Sequence, residues 1–134
     1  MELNDHKLDC DLMRDGARVS LTDDETSGVI VRRIGNAEFR AKIAELLEPH
    51  VEAERKGELD RGLQDEITGR AMAGTVLVGW WGWTEDDEPF EFSVENAERV
   101  MTDPQLVEVR DIIAAAASSR ERFLAKREAE SAGN

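Results

Sequence analysis

The stretch VLVGWWGWTEDDEPFEF (residues 76–92) decides how the chain is read, because it brings all three tryptophans of the protein together and runs them into an acidic turn. The chain has 134 residues and only seven aromatic side chains, and five of them, Trp80, Trp81, Trp83, Phe90 and Phe92, lie in this block. Upstream, LDRGLQDEITGRAMAGTVLVGW (residues 59–80) sets Leu59, Leu63, Ile67 and Ala71 on one helical face, which Gly74, Leu77 and Val78 extend. Gly62, Gly69 and Gly74 each weaken such a helix by about 1 kcal/mol relative to alanine, so tertiary contacts must hold it, and the glycines admit close helix packing. Downstream, Ser93 caps VENAERVM, with Glu95 and Glu98 near the positive helix end. The block is thus expected to join a glycine-interrupted helix to a capped one. Because large rings bury the most surface, one reading packs Trp80 and Trp83 beneath the helices while Trp81 points elsewhere. A functional reading instead places one or two exposed rings in a partner contact beside an acidic rim of Glu85, Asp86, Asp87 and Glu88.

Around this block the pattern is mostly helical. HKLDCDLMRDGARVSLTDD (residues 6–24) alternates about Asp15-Gly16, a tight-turn signal, so a β-hairpin is expected within residues 7–34. SGVIVRRIG (residues 27–35) reads as a third strand or as a lead-in to the next helix. From Asn36, a plausible N-cap, Phe39, Ile43, Leu46 and Leu47 share one face, and Pro49 must kink or restart that helix. Asp103-Pro104 opens a last helix carrying Leu106, Val109, Ile112 or Ile113, Ala116 and Phe123. The expected class is mainly α within α+β: four to five helices and a small N-terminal hairpin in one domain over residues 1–125, then a polar, frayed tail over residues 126–134.

Charge narrows the partners. The net charge is -13, which repels phosphate backbones and argues against nucleic acid. Acids concentrate in residues 1–28 and 85–103, with eight in each segment against three and one basic residues. Cys10 is the only cysteine; flanked by Asp9 and Asp11, it reads as structural, not as a nucleophile. No stretch has the length and apolarity of a membrane span or a signal segment, so a reducing cytoplasm is expected, without secretion. His6 and His50 are far apart and unaccompanied, and EDDE lacks calcium-loop spacing. Phosphate loops and a GxSxG serine are missing. No catalytic, metal or cofactor residue is therefore assigned.

Two stretches taken together resemble the tail assembly chaperones of long-tailed bacteriophages. VIVRRIGNAEFRAKIAELLEPH, followed by TVLVGWWGWTEDDEPFEFSVENAERVMTD, reproduces a short N-x-x-F helix start, a hydrophobic-GW-x-G block, an acidic turn and a PF-x-[FY]-[ST]-x-E-N-A helix opening. The matching residues are Asn36, Phe39, Gly79, Trp80, Gly82, Pro89, Phe90, Phe92, Ser93, Glu95, Asn96 and Ala97, within a resemblance spanning residues 29–125. Trp81 and Trp83 are additions to that pattern, so the resemblance assigns Trp80 to the core and leaves Trp81 and Trp83 for contact with a partner. The resemblance implies a non-enzymatic helper in the cytoplasm of the bacterial host. It would bind the tape measure protein while that client is aggregation-prone, bring major tail (tube) subunits to it, and be absent from the finished virion. Self-association is compatible with apolar helix faces, and no heptad fixes a partner number. The alternatives are a head-tail connector and, from another class, a small acidic carbohydrate-active enzyme.

Overall fold

A computed structural model describes residues 1–125 of the chain; the polar tail expected over residues 126–134 lies outside the described residues. The fold is α+β, as expected, with helices packed on one face of a small antiparallel sheet. In chain order it comprises α1 (Cys10–Asp15), β1 (Ala17–Ser20), β2 (Gly28–Val31), α2 (Ala37–Leu47), α3 (Val51–Arg55) and α4 (Arg61–Met72). There follow β3 (Leu77–Trp81), β4 (Thr84–Glu85), β5 (Glu88–Pro89), α5 (Val94–Thr102) and α6 (Val107–Ser118). Short 3₁₀ turns fill several of the connections.

The tryptophan block is not the continuation of a helix. α4 stops at Met72 because Ala73 turns to extended backbone and Gly74 takes a φ of +84°. The residues beyond, TVLVGWW, are largely β-branched or aromatic and suit a pleated surface better than a helix. β3 therefore pairs antiparallel with β2, matching Trp80 to Val29 and Trp81 to Gly28, and the sheet order is β1-β2-β3. SGVIVRRIG thus supplies the central strand.

The N-terminal hairpin exists, but its turn is not at Asp15-Gly16. Asp9 caps α1 by accepting from the amides of Asp11 and Leu12, and Gly16 ends that helix. The reversal occurs instead over residues 21–27, between β1 and β2. A local side chain-to-backbone cap has overridden the alternating pattern. Cys10 consequently stands exposed at the start of α1 instead of lying in a strand.

Several helix signals held. Asn36 accepts from the Phe39 amide at 2.9 Å and donates to the carbonyls of Arg33 and Thr75, tying α2 to the turn before β3. The chain restarts at Pro49, passing through a 3₁₀ turn into α3. Gly69 lets α4 approach α5 closely: a Cβ there would sit 2.3 Å from the Met101 carbonyl oxygen. The last helix, however, ends at Ser118, and Phe123 lies in a separate 3₁₀ turn, fully buried.

The core lies between the sheet and α4, α5 and α6. Val29, Val31, Leu77 and Trp80 meet Met72, Ala97, Val100, Met101, Ile113 and Ala117, with Phe123 closing one end. Beside Phe123 the N-terminal segment is held by backbone hydrogen bonds, from Asp9 to Phe123 and from Ala125 to Lys7, each 2.8 Å.

Candidate functional site

Trp80 is the hub from which the site is built. Its ring is buried, and its indole N–H donates to the Phe90 carbonyl at 2.7 Å, satisfying the one polar atom that burial would otherwise strand. Trp83 stacks on it at 4.2 Å with an interplanar angle of 3°. Phe90 also stacks on it at 5.3 Å, while Phe92 meets it edge-on at 5.0 Å. Four aromatic residues from one short stretch of chain thus form a single cluster, and Ser93, accepting from the Asn96 amide, starts α5 directly after it. Asn96 in turn donates to the Glu91 carbonyl, and Ala97 is fully buried.

Gly82 makes this return possible. Its φ is +72°, and a Cβ would lie 1.9 Å from the Thr26 carbonyl oxygen, so only glycine can cross the β1–β2 turn here. Gly79 serves a different need, since Ile30 of the neighbouring strand fills the space a side chain would take. Beyond Gly82 the chain forms a tight hairpin. The Phe90 amide donates to the Trp83 carbonyl at 2.8 Å, Thr84 pairs with Pro89, and Glu85 pairs with Glu88. Asp86 and Asp87 form its tip with φ of 53° and 64°, the left-handed geometry of a type I′ turn. EDDE is accordingly a turn whose backbone demands account for its shape.

Between this hairpin, α5 and α6 runs a groove of about 560 Å³. Its apolar lining includes Leu21, Trp83, Phe90, Leu106, Val109 and Ile112. Ile112 is 49% and Leu21 37% exposed, so part of this apolar lining faces solvent. Glu85 and Arg99 cross one side as a bidentate pair at 2.9 and 3.1 Å, and the Arg99 guanidinium lies 4.8 Å over the Phe90 ring. The Arg99 hydrogen bonds, and then its charge, hold the Glu85 carboxyl below its ordinary value against partial desolvation and repulsion from Asp103.

The residues assigned to a partner from sequence do not form one surface. Trp83 lines the groove, but Trp81, its strand neighbour's opposite, lies half-buried on the other face of the sheet. There its ring covers Gly28 under the Arg18 guanidinium, 4.1 Å away, and its indole N–H donates to the Glu25 carbonyl at 3.2 Å. Glu85 is engaged by Arg99, whereas Asp86, Asp87 and Glu88 are exposed at the hairpin. Sequence reasoning missed Leu21, Arg99 and Ile112 as groove residues. One signal was available: only one of Ile112 and Ile113 can face the core, and Ile113 does.

The aromatic cluster, Asn36 and the α5 start all fall within residues 34–134, three-quarters of the chain, which match the family described as YdaY prophage protein. The chain belongs to this YdaY prophage protein family. It is therefore a phage-derived protein, and the match takes in α2 through α6 while the β1–β2 hairpin precedes it. No curated protein and no solved structure matches the chain. Among the described residues, no helix is long and apolar enough to cross a membrane.

Proposed function

We propose that this prophage protein is a tail assembly chaperone of a long-tailed phage. In this reading it is not an enzyme. It acts in the cytoplasm of the bacterial host, keeps the tape measure protein soluble, recruits major tail (tube) subunits to it, and leaves before the virion is complete. The observation that carries the proposal is the groove walled by Trp83, Phe90 and Ile112, an uncovered apolar channel bordered by carboxylates. An amphipathic client helix could lay its apolar face there while its basic residues meet Asp86, Asp87 and Glu88. Membership of a prophage family supports the viral setting.

Co-expression with the tape measure protein tests the proposal. The client is expected in the soluble fraction with the wild-type chain and in the pellet with Trp83→Ala plus Ile112→Asp. Equal solubility without this chain would overturn the reading. Mass spectrometry of purified particles supplies a second check, since persistence of the chain in virions would indicate a connector instead.

A further inference from the structure

The two ends of the three-stranded sheet differ in charge. Because β1 and β3 both run antiparallel to β2, the 21–27 turn and the β4–β5 hairpin gather at the end where Gly28 pairs with Trp81. α1 and residues 32–36 lie at the other end, where Ala17 and Leu77 flank Val31. The first end exposes Asp23, Asp24, Glu25, Asp86, Asp87 and Glu88. The second holds a pocket of about 790 Å³ lined by Arg14, Arg32, Arg33 and Arg40 together with Glu38, with Leu8 and Ile34 on its apolar wall. Asp9, Asp11, Asp15 and Glu38 lie at this end as well, so it is near neutral where the first end is strongly acidic.

Internal pairing uses only part of the arginine charge. Arg14 is bound by Asp11 and Asp15, and Arg32 by Glu38 and the Met13 carbonyl. Among the described residues, Arg33 and Arg40 have no carboxylate within 4.0 Å. The start of α2 at Asn36 and Ala37 borders the same pocket and adds its positive dipole end.

We propose that the protein self-associates head to tail, the acidic end of one copy seated in the arginine pocket of the next. Leu21, exposed within the acidic end, matches the apolar wall of the pocket. Repulsion between the net charges does not forbid this contact. At about 0.15 M ionic strength the screening length is about 8 Å, so distant acids are damped while paired groups in contact are not. The contact joins unlike surfaces, so each added copy leaves a new acidic end and a new pocket. Growth then continues unless the rotation closes a ring. This goes beyond the chaperone reading and needs no client.

Sedimentation velocity of the full chain tests it. At the lower salt, about 150 mM, the wild type is expected well above its 15.0 kDa monomer mass, and at about 1 M, where the screening length falls to about 3 Å and reaches the contacts themselves, it should return to monomer. Arg33→Glu with Arg40→Glu should be monomeric at both, as should Asp23→Lys with Asp24→Lys and Glu25→Lys. Mixing the two variants should restore association, because each then offers a surface complementary to the other, and that rescue also shows both are folded. A wild type that stays monomeric at the lower salt overturns the proposal. So does association that survives the arginine reversals, or a mixture that fails to associate. Binding of poly-glutamate by a non-associating wild type would assign the pocket to an acidic partner instead.

Discussion

Gly28 is where one atom decides the state of a tryptophan. A Cβ at this position would lie 2.2 Å from the outer edge of the Trp81 ring and 2.4 Å from the Val19 carbonyl oxygen. Gly28→Ala should therefore expel the ring from its place under Arg18 and break its hydrogen bond to Glu25. The expected loss is about 2 to 3 kcal/mol, read as a lower thermal midpoint, with a red shift in tryptophan emission. The family pattern made Trp80 legible as a core ring, since its position beside Gly79 fits a buried site. The placement of Trp81 was not legible, because it depends on which upstream residue lies across the strand from it. A register between distant segments supplies that glycine. Similarly, Glu85 looked free because Arg99 lies on a later helix.

Turn chemistry governs the β4–β5 hairpin. Asp86 and Asp87 both occupy left-handed backbone, which costs a side-chain-bearing residue about 1 kcal/mol, so Asp87→Gly should raise stability by up to about 1 kcal/mol in denaturant unfolding. The hairpin's link to α5 responds to acid. Glu85 has a folded pKa below its unfolded value, so its pairing with Arg99 contributes fully above the unfolded value and is lost as pH falls through the folded one. Carboxyl chemical-shift titration should place the Glu85 midpoint below the ordinary glutamate value of about 4.3, and Arg99→Leu should move it back up. At this scale, caps were the most readable features. Asn36, Ser93 and the break at Pro49 act through neighbours in sequence and were found where expected. The Asp15-Gly16 turn and the extended helix through residue 78 were misread for a shared reason: alternation and apolar periodicity both fit short segments. The deciding factors were the Asp9 cap and pairing with a distant strand.

Over the whole molecule, burial is uneven. The sheet holds Val29 and Val31 at zero exposure, whereas α2 and α3 contain no fully buried residue. Amide hydrogen exchange should therefore be slowest in β2 and β3 and much faster in α2 and α3, which can open without disrupting the core. Uniform protection across these elements would contradict that order. The groove itself was only partly readable from sequence. Its aromatic wall lies in one contiguous block, but Leu21 and Ile112 reach it from opposite halves of the chain, where only tertiary packing unites them. The Trp80–Trp83 stack also has an optical consequence. Two parallel indoles at 4.2 Å couple their electronic transitions, and the protein has no tyrosine to mask them. The chain should show a hypochromic near-ultraviolet indole band, weaker per tryptophan than in Trp83→Ala, while the far-ultraviolet helical signal is the same in both. Anything that pries the rings apart in the groove would then be visible without a label.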